Sequence, residues 1–266
     1  AQCLVGSEMC IRDRDYLVGE AVSQQELGAD VLDVNVGLPE LDEPAVLAAA
    51  VDKLSSTVTL PLVVDSSDPV AVEAAVRGYA GKPLINSVNG KRESLEAVLP
   101  IVKRYGCAVI GLALDEEGIP PTAEGRFAVA ERIVEAAERY GIPRTDVVID
   151  CLTMACATNQ SEALEILRAV TMVKERLGVR TALGMSNISF GLPQRNMVNS
   201  TFLAAAFGCG LDMPILNPKA KRYTDTVNTF RVLNCQDAGA VEFIGEYADA
   251  ADPYTAGAAG AGVVAG

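Results

Sequence analysis

The sequence contains no histidine and no tryptophan. Histidine is the side chain that most often acts as a general base near neutral pH, and it is also the commonest metal ligand. Its absence excludes serine–histidine and cysteine–histidine nucleophile pairs and most catalytic zinc sites. Any chemistry must therefore use the carboxylates, amides and hydroxyls of the chain, or a bound cofactor.

Basic residues are also scarce, with 22 Lys and Arg against 35 Asp and Glu and a formal net charge of -13. A chain this acidic, with no basic run, is poorly suited to bind nucleic acid or an anionic membrane surface. No apolar stretch is long enough to span a bilayer. The seven cysteines have irregular spacings and no CxxC pair, which favours buried thiols in a reducing cytoplasm over disulfides or a zinc site. We therefore expect a cytoplasmic protein with no nucleic-acid or membrane partner.

What is present is a regular alternation of apolar runs with amphipathic segments. Continuous apolar runs are typical of parallel strands that are buried on both faces. The predicted strands are residues 31–37, 60–67, 83–90, 107–115, 146–154, 180–187 and 213–219. Helices are predicted at 16–29, 43–54, 68–80, 93–106, 123–141, 161–178, 194–208 and 223–235. This alternation predicts an α/β fold, a closed TIM (β/α)8 barrel. The alternative is an open doubly wound sheet, which would want a glycine-rich loop after its first strand.

Helix-capping residues support these assignments. Asp68 and Ser161 are predicted N-caps, because a short polar side chain can accept a hydrogen bond from the free N–H groups of the first turn. Pro69 suits the first helical position. Gly141 and Gly178 are predicted to end their helices.

A complete barrel needs one more strand before the helix at 16–29, and residues 1–14 are a poor match for it. That segment is short, mixes apolar with polar residues and ends in charged residues, unlike the continuous apolar runs of the other predicted strands. Our hypothesis is that it is foreign sequence replacing the true first strand, with QCLVG (2–6) filling its place loosely. The rest is expected to form a barrel domain at 15–245 and a Gly/Ala-rich tail or linker at 246–266.

Polar side chains gather where the predicted strands end. Barrel enzymes place their sites at the carboxyl ends of the strands, so these residues are expected to face one mouth. They are Asp33, Asn35, Asp65, Ser66, Ser67, Asn86, Ser87, Asp115, Asp150, Ser186, Asn187, Ser189, Asn217 and Lys219. A single one of them would be explained by a helix cap or a structural hydrogen bond. A ring of carboxylates and amides is costly to bury unless something binds it, and it indicates a ligand.

The residue types restrict that ligand. Carboxylates only accept hydrogen bonds, whereas Asn both donates and accepts. The ligand should therefore present several N–H donors and some acceptors in a flat array. Few Lys and Arg occur at the strand ends, which disfavours a phosphate, and a metal site would lack His. A reduced pterin fits, because its 2-amino and N3–H groups can bond one carboxylate in bidentate fashion while its other ring atoms suit a second carboxylate and an amide.

Six segments of the chain resemble the pterin-binding methyltransferase family. They are GADVLDVNVG (28–37), VVDSS (63–67), INS (85–87), YGCAVIGLALDEEG (105–118), VVID (147–150) and GMSNISFGLP (184–193). This family includes the folate domain of cobalamin-dependent methionine synthase and the methyltetrahydrofolate:corrinoid methyltransferases, and dihydropteroate synthase is a more distant relative. The resemblance implies a dihydropteroate-synthase-like TIM barrel, here without a proper first strand. The family's loop after that strand, which helps form the pterin site, has no counterpart in this sequence.

The resemblance also implies an activity and a set of site residues. The family takes the N5 methyl of 5-methyltetrahydrofolate and delivers it to Co(I) of a corrinoid (cobalamin) held on a partner domain or protein. By their motifs, Asp65, Asn86 and Asp150 bind the pterin. Asn187 binds it as well and is the catalytic amide that reaches N5. Arg195, in the loop after the same strand, is assigned to the glutamate tail, and no metal ligand is implied.

The chemistry expected of Asn187 has a physical basis. A tertiary amine is a poor leaving group until N5 gains a proton or a strong hydrogen bond. An amide can rotate to donate to N5 as charge develops there, which stabilises the transition state more than the ground state. No histidine is required, because the corrinoid supplies the nucleophile.

The leading prediction is the folate domain of a cobalamin-dependent methionine synthase, cut from a longer chain and acting in methionine biosynthesis and one-carbon metabolism. A free-standing methyltetrahydrofolate:corrinoid/iron-sulfur protein methyltransferase is the alternative with the same chemistry. Dihydropteroate synthase is a third alternative. It would need a cluster of Lys and Arg near a strand end to bind a pyrophosphate leaving group, and the sequence shows no such cluster. A non-catalytic folate-binding module is the fourth, and the chain could form a homodimer in any of these cases.

Overall fold

The computed structural model describes residues 2–4, 11–36 and 42–250, with side chains from residue 15 onward. The chain divides into two compact units, Ala1–Tyr223 and Thr224–Gly266. Residues 1 and 5–10 of the segment suspected to be foreign lie outside the described residues, as does 251–266 of the expected tail. The foreign origin of 1–14 and a domain boundary at 245 stay predictions.

Eight parallel strands form one sheet in which each strand pairs with the next along the chain. They are β1 Gln2–Leu4, β2 Leu32–Asn35, β3 Leu62–Asp65, β4 Leu84–Asn89, β5 Ala108–Leu112, β6 Val147–Asp150, β7 Arg180–Gly184 and β8 Met213–Ile215. Consecutive pairing of this kind is the strand order of a βα barrel. The TIM-barrel prediction is confirmed. The first strand is only three residues long, within the predicted QCLVG, and pairs with β2.

A helix follows each strand, and one more helix ends the described chain. The helices are α1 Ile11–Glu26, α2 Glu43–Ser55, α3 Pro69–Arg77, α4 Arg92–Tyr105, α5 Ala123–Arg139, α6 Ser161–Met172, α7 Arg195–Gly208, α8 Lys221–Leu233 and α9 Val241–Tyr247. The predicted helices are confirmed with shifted ends. The helix α1 begins at Ile11 and so takes in the last residues of the segment 1–14.

Strand side chains alternate between the barrel interior and the helix layer, as a period of two requires. The interior holds an apolar cluster of Val63, Leu84, Ile110, Val148 and Ala182. Their neighbours on the same strands, such as Val64 and Ile85, are fully buried on the opposite face. The polar residues at the mouth therefore rest on an apolar floor, which fixes the strands that carry them.

Most of the predicted caps are confirmed. Asp68 accepts a 2.9 Å hydrogen bond from Val70 N, with Pro69 as the first residue of α3. Gly178, with a φ of 66°, follows the π-helical turn that extends α6. The prediction for Ser161 is wrong, because the N-cap of α6 is Gln160 and makes no side-chain cap bond. Asn159 is the acceptor instead: its Oδ1 receives bonds from both the N–H and the hydroxyl of Ser161.

The second unit has its own polar contacts. Asp237 accepts hydrogen bonds from the backbone N–H groups of Glu242 and Phe243 at the start of α9. The Tyr247 hydroxyl donates to Asp225 at 2.6 Å. Across the described part of both units, no helix is long and apolar enough to cross a membrane.

Candidate active site

Three polar side chains stand in one register across neighbouring strands. The Cα partner of Asn35 on β2 is Asp65 on β3, and the partner of Asp65 is Asn86 on β4. We call these three residues the β2–β4 row. Asn35 Nδ2 donates to Asp65 Oδ2 at 2.9 Å, so the amide fixes the rotation of the carboxylate. The predicted ligand residues Asp65 and Asn86 are thus adjacent at the mouth.

The environment of Asp65 makes its charged form costly in the absence of a ligand. Burial is the largest influence and raises the pKa of this carboxyl group above its usual value, and the nearby negative charge of Glu43 also raises it. The hydrogen bond from Asn35 acts in the opposite direction. Glu43 is itself held by the Ser66 hydroxyl, which donates to its Oε1. A ligand that donates N–H groups to Asp65 would replace the solvation that burial removes.

Asp150 is the last residue of β6, three strands along the sheet from Asp65. Its Cα partners are Leu112 and Ala182. Its Oδ1 accepts a 2.7 Å hydrogen bond from Leu152 N, and Leu152 has a φ of 62°. This left-handed conformation costs a non-glycine residue ~1 kcal/mol, and the bond to Asp150 helps to offset that cost.

Burial raises the pKa of Asp150 to about 6, while the bond from Leu152 N and the positive charge of Arg126 both act to lower it. Asp150 is 7 % exposed, so its charged form is poorly solvated. Protonation would convert one of the two acceptor oxygens into a donor. The carboxyl group is therefore a stronger acceptor of N–H groups above this pH than below it.

Arg126 is a buried cation that the sequence analysis did not single out. It is fully buried in α5; its Nε donates to Pro120 O at 2.9 Å and its Nη2 to Glu162 at 2.7 Å. It therefore ties the loop after β5 to the start of α6. A signal was present, because Arg126 lies on the same helical face as Val129, Ala130 and Ile133, where an arginine is unexpected.

A second missed residue is Asn89, which a shift of register brings to the interior face. The pairing of β4 with β5 skips Ser87, so that Asn86 pairs with Ile110 and Asn89 pairs with Leu112. Leu112 is in turn the partner of Asp150. Strict alternation from Asn86 would have turned Val88 inward and Asn89 outward, which is why the sequence pattern did not reveal it.

Asn187 occupies the first position of a single helical turn, Asn187–Ser189, in the loop after β7. Its side chain is exposed, and its backbone carbonyl accepts a hydrogen bond from Phe190 N at 3.1 Å. Asn187 and Arg195 are the exposed members of the predicted site residues. An amide in this setting is free to rotate, as the predicted role at N5 requires.

Arg195 binds the loop that carries Asn187. Its Nη2 donates to Ser186 O at 2.8 Å and its Nε to Ser189 Oγ at 3.0 Å. Its guanidinium lies 4.5 Å from the centre of the Phe190 ring, within the range of a cation–π contact. These contacts give Arg195 a structural task in the loop, beside the predicted contact with the glutamate tail.

A cavity of about 450 Å³ opens beside Arg195, between the end of β8 and helices α1 and α7. Its lining includes Arg195, Asn217 and Tyr223. Burial raises the pKa of the Tyr223 hydroxyl, and a hydrogen bond with Asn199 lowers it. The cavity offers room next to the mouth for the part of a ligand that extends beyond a flat ring.

Other members of the predicted ring are engaged locally. Asp115 accepts from Glu117 N at 3.1 Å, Asn217 accepts from Lys219 N at 3.0 Å, and Lys219 pairs with Glu20 at 2.7 Å. Among the residues that the structure describes, no group of His, Cys, Asp and Glu could hold a metal ion. The site is thus a set of hydrogen-bonding groups, with its acceptors on β3 and β6 and its amides on β4 and the β7 loop.

Comparison with known proteins identifies the family of this chain. The sequence profile of the pterin binding enzymes matches residues 5–217. The chain belongs to the pterin-binding enzyme family. The resemblance noted in its motifs is therefore confirmed, and the β2–β4 row and Asp150 are the polar groups that this pterin-binding barrel presents at its mouth.

Two curated relatives of the pterin-binding chain are informative. A methionine synthase of Mycobacterium tuberculosis (strain ATCC 25618 / H37Rv) is 33% identical over 222 residues, which are 79% of this chain and 19% of that protein. A methylcorrinoid:tetrahydrofolate methyltransferase of Eubacterium limosum is 27% identical over 213 residues, 79% of each chain. The chain spans a small part of the first protein and most of the second.

Solved structures share the barrel. Dihydropteroate synthase from Xanthomonas albilineans in complex with 7,8-dihydropteroate superposes with a TM-score of 0.70 at 21% identity, covering 88% of this chain and 92% of that one. The Stenotrophomonas maltophilia enzyme gives a TM-score of 0.70 at 19% identity. At this identity the likeness concerns the fold, and it confirms the dihydropteroate-synthase-like barrel.

Proposed function

We propose that this barrel is the folate domain of a cobalamin-dependent methionine synthase. It would bind 5-methyltetrahydrofolate and pass the N5 methyl group to Co(I) of a corrinoid on a partner domain or protein. The observation that carries the proposal is the presence of two acceptors at the carboxyl ends of strands three apart in the barrel, with Asp65 of the β2–β4 row on β3 and Asp150 on β6. Methionine biosynthesis in the cytoplasm is the corresponding cellular role.

The proposed binding mode follows from the donors and acceptors available. A carboxylate that is half-buried and already oriented by Asn35 is suited to receive two N–H groups of a pterin at once. Asp150 would receive a third N–H group, and Asn86 can both donate and accept. We assign pterin binding to Asp65, Asn86, Asp150 and Asn187, and the glutamate tail to Arg195 at the edge of the cavity.

The proposed chemical step requires a proton at N5. The corrinoid, as methyl acceptor, would supply the electron pair for the new bond to the methyl carbon and so be oxidised from Co(I) to Co(III); the pair of the broken N5–methyl bond would stay on N5, which would take its proton from solvent. The corrinoid supplies the nucleophile. The chain would orient the ring through its acceptors and stabilise N5 through the exposed amide of Asn187, in keeping with a site that contains no histidine.

The test is transfer of a labelled methyl group. The purified chain is incubated with 5-methyltetrahydrofolate, carbon-13 labelled at the methyl, and with reduced cobalamin, and methylcobalamin and tetrahydrofolate are quantified. We expect both products in equal amounts. The variant Asp65→Asn should weaken folate binding by about tenfold or more, whereas Asp115→Asn, which removes a locally bonded carboxylate at another strand end, should behave as the parent. Binding without transfer would favour the non-catalytic module.

A free-standing corrinoid methyltransferase is the second candidate. It is favoured by the Eubacterium limosum relative, of which the chain covers 79%, and it predicts the same reaction with a corrinoid protein as acceptor. Dihydropteroate synthase receives less support. Lys219, the one basic side chain in the predicted ring of polar residues, is already paired with Glu20. Measurement of dihydropteroate formation by the same preparation separates this option.

A further inference from the structure

Asp33 lies directly beneath the β2–β4 row. It precedes Asn35 by two residues on β2, so both side chains face the barrel interior. The Cα partner of Asp33 is Val63 on β3, and the partner of Val63 is Leu84 on β4. Val63 and Leu84 belong to the apolar cluster that fills the interior. The carboxyl group of Asp33 is therefore placed at the level of the apolar floor.

The surroundings of this carboxyl group do not suit a charge. Asp33 is 6 % exposed, and its Oδ1 is buried without a hydrogen-bond partner in the described part of the chain. No ion pair of Asp33 occurs among the described side chains. An ionised carboxylate placed there would lose its hydration and gain little in return. Its neighbour in the row above, Asp65, carries the same sign of charge.

Burial and the charge of Asp65 together raise the pKa of Asp33 to about 7, and the positive amino terminus of the chain acts in the opposite direction. Asp65 is in turn subject to the charge of Glu43 on α2. On the other side, β1 pairs with Asp33 through Gln2, an uncharged residue. Protonation of one of the two aspartates removes the repulsion between them.

We propose that Asp33 is a neutral carboxylic acid in the working site, a positioning residue that leaves Asp65 as the ionised acceptor of the β2–β4 row. Asp65 is closer to the mouth, where N–H donors of a ligand can reach it, and it already accepts a bond from Asn35. A ligand that donates to Asp65 therefore holds the negative charge on Asp65 and the proton on Asp33. The part of this inference that concerns folate rests on the proposed function.

Stability measurements test the protonation state without any ligand. A folded-state pKa above that of an unfolded aspartate means that folding takes up a proton, so this group lowers stability progressively as pH rises from about 4 to about 7. Asp33→Asn has the same shape and cannot titrate. We expect the urea midpoint of this variant, relative to that of the parent, to rise between about pH 5 and about pH 8.

The matched control is Asp115→Asn, which removes a carboxylate that faces Arg132. Its midpoint, relative to the parent, should not rise with pH. A relative midpoint for Asp33→Asn that is flat or falls across the same range would overturn the proposal, because it would mean that Asp33 is ionised throughout.

Infrared spectroscopy reads the proton with Asp33 in place, which keeps the proposal testable even if Asp33→Asn folds poorly. Because buried Asp150 would give a similar signal near its own pKa of about 6, the spectra of the parent and of Asp150→Asn are compared with carbon-13 labelled aspartate. A C=O stretch of a buried protonated carboxyl group should persist in Asp150→Asn at about pH 6 and disappear as Asp33 ionises at higher pH. Absence of this band in Asp150→Asn at that pH contradicts a neutral Asp33.

Folate binding tests the positioning role. Asp33→Asn should retain affinity for 5-methyltetrahydrofolate within about twofold of the parent at pH 6, whereas Asp65→Asn should lose about tenfold or more. An equal loss in both variants would show that Asp33 acts as an anion and overturn the proposal. If the parent itself does not bind folate, the proposed function fails, and the stability and infrared results still decide the state of Asp33.

Discussion

The two sides of the barrel mouth are built differently. On the β2–β4 side, an amide is bonded to a carboxylate within a continuous register of strands. On the β7 side, Asn187 is exposed in a short helical turn. Arg195 holds this turn by a hydrogen bond to Ser186 O. A rigid side is suited to hold a ring in place, and an open side is suited to respond as charge changes during a reaction. This difference predicts that substitutions on the rigid side will mainly alter the affinity for folate, and that substitutions on the open side will mainly alter the rate of methyl transfer.

The largest effect is expected at Asn187. Asn187→Ala should lower the rate of methyl transfer by about 10²-fold, because loss of one preformed donor to a developing charge typically costs that much. The affinity for 5-methyltetrahydrofolate should change less than the rate. Single-turnover transfer and equilibrium binding measure the two quantities separately. Asn234→Ala, an exposed amide outside the barrel unit, is the control, and equal losses of rate and affinity at Asn187 would contradict its assignment to the open side.

The next largest effect is expected at Asp150, and it should fall on the affinity for 5-methyltetrahydrofolate. Asp150→Ala removes a buried acceptor, and we expect a loss in binding of about 1–3 kcal/mol, with the rate from the bound state nearly unchanged. Calorimetry with 5-methyltetrahydrofolate measures it. Thermal melting of the variant shows whether loss of the bond to Leu152 N has disturbed the fold. A rate loss larger than the affinity loss would place Asp150 with the catalytic group instead.

Asp150 also predicts a dependence of binding on pH. Its pKa in the folded chain is raised to about 6, and only the ionised form accepts N–H groups on both oxygens. Affinity should therefore rise as pH increases through about 6 and be lost below it. Asp150→Asn should flatten this part of the profile. A parent profile that is flat between about pH 5 and about pH 7 would be inconsistent with a ligand bound at this carboxylate.

A smaller effect is expected at Asn35, which does not contact the ligand in the proposed mode. Asn35→Ala removes the bond to Asp65 Oδ2 and should weaken folate binding by about 0.5–1.5 kcal/mol. Asn35→Asp restores the size of the side chain and adds a like charge, so it should bind less well than Asn35→Ala. The reverse order of the two variants would argue against orientation of Asp65 by Asn35.

The smallest effect is expected at Arg195. Arg195→Met keeps much of the stem over Phe190 and removes the bonds to Ser186 O and Ser189 Oγ, so the loop that carries Asn187 becomes looser. We expect a transfer rate lowered by about threefold to tenfold. Comparison of folate with a form lacking the glutamate tail distinguishes the two roles. A loss confined to the natural tail would assign Arg195 to the ligand.

Prediction from sequence succeeded where a periodic signal existed. Seven apolar runs located seven strands, and counting to the end of each one placed Asp65, Asn86 and Asp150 at the mouth. It failed where two distant segments decide the outcome. The bond between Asn35 and Asp65 joins residues 30 positions apart, and no local pattern encodes it. Arg126 was overlooked because its partners lie far along the chain or outside its helix, Pro120 in the loop after β5 and Glu162 at the start of α6.

The depth of Asp33 shows a second limit. Alternation along β2 is sufficient to infer that Asp33 and Asn35 face the same way. The level at which each residue sits depends on the register between β2 and β3, which is set by the packing of whole strands and not by the residues themselves. A carboxylate at the mouth and one on the apolar floor therefore look alike in the sequence, although their solvation differs greatly.

The skipped Ser87 in β4 has a consequence for comparing this chain with its homologues. Since β5 pairs with Asn86, Val88 and Asn89 as though Ser87 were absent, a homologue one residue shorter at this place can present the same two asparagines to the interior. A sequence alignment should therefore allow a gap of one residue between them. An alignment without it would set Asn89 against a residue of the helix layer and hide a position that shares its register with Asp150.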